Sequence, residues 1–224
     1  MFKKISTFFL LILSLFLPHG AWSAPPPEVA AVHIMTDALL ALKESKAQGK
    51  SSVEDVEELI AGQLLPDLDI NESTRQSLKK HWNDLSAKQK LILRTYVAVS
   101  LVDNYAAILA AYDDLDGIKI STDPQVRRKD NKAIVKLNIH INGNSDPFIV
   151  DLKMILNGDW RIYDVVFSGV SLVKNHKASF GSHVKRKGIE SLIAKASKKL
   201  KKHVGEDCPV CIAMNLKKSV LLGY

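Results

Sequence analysis

The chain has 224 residues, a length that suits one domain, or one domain with a helical annex, rather than several. Its formal net charge is +7, and this charge is unevenly distributed. Residues 28–73 hold ten acidic side chains against three lysines, whereas residues 174–203 hold ten lysines and arginines against one acid, Glu190. Such a basic segment fits nucleic acid, anionic lipid headgroups or an acidic protein, and a solvated helix face is the alternative.

Residues 1–23 have the pattern of a secretory signal peptide. Lys3 and Lys4 precede an apolar run over residues 8–17, and the small residues Ala21 and Ser23 predict cleavage after Ser23. The run is about half the roughly 20 residues that span a bilayer, and no cysteine follows it for lipid attachment. We therefore expect a free, soluble exported protein, which disfavours nucleic acid as a partner. The expected organisation is a signal peptide (1–23), one domain (24–203) and a C-terminal tail (204–224).

Helical spacing of apolar residues dominates the first half of the chain. Two Ser-x-x-Glu/Gln patterns, Ser51–Glu54 and Ser86–Gln89, are typical of capping boxes that begin helices. The long helix opened by the second pattern carries a broad aromatic and aliphatic stripe. The pattern predicts helices over residues 28–46, from 51 to Pro66, over 72–82, and from 86 to about 112.

The apolar period then changes from helical to two, which is typical of strands. Asn157-Gly158-Asp159 predicts a tight turn between the last two strands. The predicted strands cover residues 117–122, 133–141, 148–156 and 160–168, and further helices follow over about 171–187 and 189–202. The predicted order along the chain is helices, then antiparallel strands, then helices again. This order indicates an α+β domain.

The strand over residues 160–168 is apolar on both sides if its side chains alternate strictly. Such a strand is compatible with an ordinary core on both faces of the sheet or with one wall of a cavity. The alternation predicts one face with Trp160, Ile162 and Val166, and the other with Tyr163, Val165 and Phe167.

The residues from Gly158 onward resemble the signature of the toluene-tolerance family, whose best-known member carries phospholipid in the Mla transport system and one branch of which is associated with hopanoid metabolism. The matching stretches are Gly158–Val165, Gly169–Asn175, Phe180 and Gly188–Leu192, with Trp82, Gln89, Tyr105 and Tyr112 upstream. The resemblance spans roughly residues 28–200. The chain departs from the usual family pattern at Leu152, at His176-Lys177 and in the tail after His203, which leaves headgroup preference and partner surface open.

The resemblance implies a fold and a function. The implied fold is NTF2-like, with a curved antiparallel sheet of about four strands and helices around an apolar cavity that buries acyl chains. The implied role is a periplasmic carrier in a Gram-negative bacterium. It would be a monomer shuttling phospholipid between an inner-membrane ABC transporter complex and an outer-membrane lipoprotein complex, without cofactor, metal or catalytic residue. The alternatives are a binder of hopanoids or other isoprenoid lipids, and an enzyme on the same scaffold.

The candidate lipid-binding residues come from the long helix, the strands and the following helix. Each of these side chains is as compatible with core packing as with lipid contact, and only the resemblance favours a cavity. They are Tyr96, Val99, Leu101, Tyr105, Val150, Leu152, Met154, Ile162, Val165, Phe167, Val170, Leu172 and Phe180.

Two other constellations bear on function. Cys208 and Cys211 form a CxxC motif that predicts a local structural disulfide; redox chemistry and metal binding are alternatives, although only His203 offers a further metal ligand. Asp164 would be the candidate acid of an enzyme, but Arg161 and Arg186 as charge partners, or a helix start as hydrogen-bond partner, favour a structural role. No GxSxG, HExxH or P-loop motif is present.

Overall fold

The computed structural model describes residues 24–143, 145–203 and 208–216. The expected signal peptide lies outside the described residues, and so do residues 204–207 and 217–224 of the expected tail. The elements are helices α1 (Pro27–Ala47), α2 (Val53–Leu59), α3 (Ile70–Leu78), α4 (Ala87–Ala110), α5 (Leu172–Lys187), α6 (Ile189–His203) and α7 (Pro209–Ala213), and strands β1 (Lys119–Thr122), β2 (Arg127–Lys129), β3 (Lys132–His140), β4 (Phe148–Asn157), β5 (Asp159–Phe167) and β6 (Val170–Ser171). The α+β prediction is confirmed.

The strands form one antiparallel sheet in the order β1-β3-β4-β5-β6, with β2 also paired to β3. The predicted turn at Gly158 joins β4 to β5, and Gly158 has a φ of 79°, which glycine adopts without strain. The sequence predicted four strands and missed β2 and β6. These strands have three and two residues, too few for an alternating pattern to show.

The helix starts follow local capping chemistry. Ser86 accepts a hydrogen bond from the Gln89 N–H, and Gln89 accepts one from the Ser86 N–H, so the predicted capping box of α4 is confirmed. The box of α2 lies one residue later than predicted and pairs Ser52 with Asp55. Either serine could have served, and Asp55 at the third helical position accepts the Ser52 N–H at 3.0 Å.

The helix predicted to run to Pro66 changes its winding before it reaches the proline. It becomes a π-helical turn over Ile60–Leu64 and then a 3₁₀ turn over Leu65–Asp67. The next helix, α3, begins earlier than predicted because the Asp69 carboxylate accepts the Glu72 N–H at 2.8 Å. It ends at Leu78, followed by a short 3₁₀ turn instead of continuing to residue 82.

The elements pack as a sheet with α1 on one face and a separate layer of helices. The N-terminal half of α1 packs on β1, β3 and β5, and its C-terminal half reaches the helical layer. The centre of that layer is α4, which packs against α2, α3, α6 and α7. By length and composition α4 could span a membrane, but 56% of its most apolar window is buried inside the protein, as in the core helix of a soluble protein.

Candidate functional site

One face of the sheet is apolar along β3, β4 and β5. Cross-strand pairing puts Val135 opposite Leu152 and Leu137 opposite Val150, and these four side chains are between 0% and 7% exposed. Ala31 and Ile34 of α1 cover this face and belong to the same buried cluster. We call this cluster the sheet-face cluster; its buried members are Ala31, Ile34, Ala133, Val135, Leu137, Val150, Leu152, Met154, Trp160 and Ile162.

A β-bulge places both halves of β5 on this face. Lys153 pairs with Asp164 while the next residue, Met154, pairs with Ile162, so Tyr163 is the extra residue. Because of this extra residue, Val165 and Phe167 return to the face that holds Trp160 and Ile162. The prediction of two apolar faces was therefore wrong: on the opposite face Asp164 and Val166 lie beside the charged residues of β4.

A second apolar cluster fills the helical layer. Here α4 contributes Val99 and Leu101, and Tyr96 packs at its edge with its ring 6.1 Å from that of Phe180 on α5. Two residues of the irregular segment after α2, Leu64 and Leu68, pack against both clusters. The π-helical turn thus lies where the two apolar clusters meet, and π-helical turns are frequent at functional sites.

The structure divides the thirteen candidate residues into three groups. Five lie in or against the helical cluster: Tyr96, Val99, Leu101, Leu172 and Phe180. Tyr105 is 41% exposed. Seven lie on one sheet face: Val150, Leu152, Met154, Ile162, Val165, Phe167 and Val170. The helix residues and the strand residues therefore do not share a single wall.

The apolar sheet face ends in an exposed rim formed by Phe148, Phe167 and Val170. These side chains are 39%, 45% and 56% exposed, and the two phenylalanine rings are 6.2 Å apart. Pairing of Phe148 with Ile139 and of Phe167 with Val150 makes the rim continuous with the buried sheet-face cluster. Phe148 was not a candidate residue, although it continues the alternation of β4. An apolar path therefore runs from solvent into the sheet-face cluster.

A surface cleft of about 440 Å³ flanks the covering helix α1. Thr122 of β1 forms one side, and one long flank of α1 forms the other: Glu28, Val29, Val32, His33, Thr36 and Asp37. Val29 is 54% exposed. The helix that covers the sheet face, α1, thus has an open cleft along one flank, whereas α4 is packed among four other helices.

Asp164 has a structural environment. Its carboxylate is 2% exposed and accepts hydrogen bonds from Lys153 at 2.7 Å, the Ser171 hydroxyl at 2.7 Å and the Val173 N–H at 3.0 Å. The predicted bond to a helix start is confirmed, but the predicted arginine partners are wrong, because Lys153 on the neighbouring strand is closer. Because both oxygens of Asp164 already accept hydrogen bonds from the protein, this carboxylate is not available to bind a ligand.

A second buried carboxylate, Glu72 on α3, joins α3 to the sheet. Its oxygens accept hydrogen bonds from Arg75 at 2.6 and 2.7 Å, from Gln76 at 2.8 Å and from Lys132 of β3 at 2.6 Å. Burial alone would raise the pKa of Glu72, but these hydrogen bonds outweigh it and lower the pKa to about 2. Among the described residues no group of three or more His, Cys, Asp and Glu side chains could hold a metal ion.

Cys208 and Cys211 are joined by a disulfide across 5.2 Å between their Cα atoms. Cys208 is also the N-cap of α7, and its Sγ accepts the Cys211 N–H. Both cysteines are buried against the helical cluster. The disulfide therefore stabilises the first turn of the short helix α7, and α7 packs on α2 and α4.

Comparison with known proteins agrees with this architecture. The sequence profile of the MlaC protein family matches residues 33–198. The chain is 22% identical over 198 residues to the intermembrane phospholipid transport system binding protein MlaC of Haemophilus influenzae, covering 86% of this chain and 91% of that protein. The structure matches that of the phospholipid-binding protein of Ralstonia solanacearum in complex with a phospholipid, with a TM-score of 0.68 and 19% identity, over 80% of this chain and 98% of the other. The chain belongs to the MlaC protein family.

Proposed function

We propose that this protein is a soluble periplasmic carrier that binds the acyl chains of a phospholipid and moves the lipid between transport complexes of the two membranes. The observation that carries the proposal is the apolar path from the rim (Phe148, Phe167 and Val170) into the sheet-face cluster. Membership of the MlaC family and the phospholipid in the Ralstonia structure support it. The role requires no catalytic group and no cofactor.

The energetics of a phospholipid explain why such a carrier needs this kind of surface. Burying one methylene is worth about 0.8 kcal/mol, so exposing a chain of about 16 carbons to water costs roughly 12 kcal/mol. A carrier must therefore bury almost as much acyl-chain surface against its apolar side chains as the bilayer buries. The sheet-face cluster and its rim supply aliphatic and aromatic surface of this kind.

Loading requires the sheet face to open. Val135, Leu137, Leu152 and Met154 are completely buried, so an acyl chain must displace side chains that now fill this space. We propose that α1 is the element that moves, because it alone among the described helices packs broadly on this face and has the cleft along one flank. Contact with a partner would then drive opening, which prevents release of lipid into water.

The partners belong to the same proposal. A protein that moves lipid between membranes has to dock on a complex at each membrane, an ABC transporter complex at the inner membrane and a lipoprotein complex at the outer membrane. The name of the Haemophilus relative, an intermembrane transport system protein, supports this assignment. Export of the chain by its expected signal peptide is part of the proposal, and the N-terminal residue of the mature protein tests it.

Lipid extraction gives the first test. The secreted protein is isolated without detergent, and its organic extract is examined by mass spectrometry for phospholipids and hopanoids. Stoichiometric phospholipid is expected. Hopanoid in its place would favour the alternative binder, and a protein that is empty and does not take up lipid from vesicles would contradict both.

Tryptophan fluorescence tests where the acyl chains bind. Trp160 lies on the sheet face and Trp82 lies against the helical cluster. In a Trp82→Phe variant, phospholipid with brominated acyl chains is expected to quench Trp160, because bromine acts only at close range. The matched Trp160→Phe variant, which retains Trp82, is expected to be quenched much less. The opposite pattern would place the acyl chains in the helical layer and contradict the proposed site.

A further inference from the structure

A polar cavity of about 280 Å³ lies at the end of the sheet opposite to the rim. Five parts of the fold meet there: the 3₁₀ turn after α2, the N-terminus of α3, helix α4, the β4–β5 hairpin and the end of α7. The polar residues of the lining and the two at the start of α3 are Asp69, Ile70, Asn71, Arg94, Asn157 and Arg161.

Two arginines line this cavity, and neither forms an ion pair within 4.0 Å among the described residues. Arg94 comes from α4, and its Nε is buried with no hydrogen-bond partner in the described structure. A buried donor left unpaired destabilises the folded protein, more so when the group is charged.

The acids near the cavity do not satisfy these arginines. Asp69 lines the cavity, but its carboxylate accepts the Glu72 N–H as the cap of α3. Asp67 lies outside the lining, where burial raises its pKa and Arg161 opposes this rise. Within residues 24–143, 145–203 and 208–216, Arg94 therefore has no carboxylate partner, and the lining carries two positive charges and one negative charge.

Residues with further hydrogen-bond donors line the same cavity. Ile70 and Asn71 are the first two residues of α3, whose backbone N–H groups have no acceptor within the helix, and the Asp69 cap engages only the Glu72 N–H. The Asn157 amide lies in the lining beside Arg161. Guanidinium groups and free N–H groups at a helix start are the donors that bind oxyanions in proteins.

We propose that this cavity binds a phosphate-class oxyanion through Arg94 and Arg161. The anion is either the phosphodiester of the carried phospholipid or free inorganic phosphate. Leu68 lines the cavity and also packs against the sheet-face cluster, so a lipid that enters when α1 opens, with its acyl chains in that cluster, would have its phosphate at this end of the sheet. Only the lipid source depends on the proposed carrier function; the anion site itself stands without it.

An NMR titration of the delipidated protein with inorganic phosphate tests the site, with chloride used to hold ionic strength constant. Saturable shifts are expected for the Arg94 Nε–H and for the backbone N–H groups of Ile70 and Asn71. R94Q is expected to weaken binding about tenfold or more, since one charge-assisted hydrogen bond is lost, and R94K to retain part of it. R186Q, which removes an exposed arginine of α5, is the matched control and should not change the affinity.

R161Q keeps the test decisive if R94Q fails to fold, because Arg161 is exposed on β5 and its replacement leaves the core intact. It is also expected to weaken phosphate binding severalfold. Absence of saturable shifts in the unaltered protein, or equal effects of R161Q and R186Q, would overturn the proposal.

Repeating the titration on phospholipid-loaded protein identifies the source of the anion. If the lipid phosphodiester occupies the site, the Arg94 Nε–H is already shifted and added phosphate has no further effect. If free phosphate is the ligand, it binds loaded and delipidated protein alike. Failure of the protein to take up any lipid would count against the carrier function but would leave the phosphate titration unchanged.

Discussion

The Val173 N–H donates a hydrogen bond of 3.0 Å to the Asp164 carboxylate and thereby joins β5 to the first turn of α5. The Ser171 hydroxyl, which caps the same helix, donates to the other oxygen of Asp164. Lys153 on β4 donates a third hydrogen bond to Asp164, from the polar face of the sheet. One carboxylate thus fixes where α5 begins relative to both central strands.

Asp164→Asn is expected to lower the free energy of unfolding by about 3 kcal/mol, because it leaves Lys153 without its anionic partner and turns an NH₂ donor toward other donors. Urea denaturation measures this loss. Asp159→Asn, at an exposed position at the start of β5, is the control and should change stability little. A variant D164N as stable as D159N would contradict the structural role.

Glu72 predicts a loss of stability in acid. Its pKa is about 2 in the folded protein and about 4.5 in the unfolded chain, so its ionised form favours folding. This contribution is fully present above about pH 4.5 and is lost as the pH falls toward 2. The difference of about 2.5 pKa units corresponds to roughly 3 kcal/mol.

The matching experiment compares urea unfolding of the unaltered protein and of Glu72→Gln between pH 2 and pH 6. The variant should be less stable at pH 6, and the difference should shrink as the pH falls. Glu58→Gln, at an exposed position on α2, serves as the control. A difference between E72Q and the unaltered protein that does not depend on pH would show that the network acts through packing alone.

Lys79 has a backbone conformation that glycine prefers. Its φ is 48° and its ψ is −117°, at the point where α3 ends. A side chain in this region is strained, so Lys79→Gly is expected to raise the free energy of unfolding by about 1 kcal/mol and to raise the melting temperature. Lys80→Gly, in the same 3₁₀ turn but without a positive φ, is expected to lower both. Equal effects of the two variants would refute this account.

The exposed rim predicts a variant that separates lipid handling from stability. Phe167→Asp puts a charge where the apolar path meets solvent and should slow lipid transfer from vesicles about tenfold, corresponding to about 1.4 kcal/mol. The variant also loses the contact between the Phe167 and Phe148 rings, which should lower the free energy of unfolding by only about 1 kcal/mol. Ile212→Asp changes a 74% exposed apolar residue on α7 and is the control. Equal transfer by F167D and I212D would exclude the rim as the path of the lipid.

Much of the local structure could be predicted because its causes lie within a few residues. The Ser86–Gln89 box, the alternation along β3 and β4 and the Gly158 turn each depend on neighbours in the chain. The π-helical turn over residues 60–64 could not be predicted in this way. Its apolar residues continue a helical pattern, and only packing between the two clusters distinguishes one winding from the other.

The candidate lipid-binding residues show the same difference between what local patterns predict and what long-range packing decides. The β4 residues follow an alternation that the sheet keeps on one face, whereas Val165 and Phe167 join Ile162 on that face only because of the bulge at Tyr163. The α4 residues were chosen because they form a stripe, but a stripe does not specify which surface it faces, and α4 turned it toward other helices. Phe148 was overlooked because an apolar residue at a strand start has no local sign of being exposed.

By itself, the sequence determined the α+β order of elements, the family signature around Gly158–Leu192 and the expectation of export, since these depend on composition and short-range spacing. Only the tertiary structure decided that a bulge at Tyr163 gathers β5 onto one apolar face, that Lys153 and not an arginine pairs with Asp164, and that Arg94 and Arg161 line one cavity. The physical reason is that strand register and helix packing are set by contacts between residues far apart in the chain, which local patterns do not record.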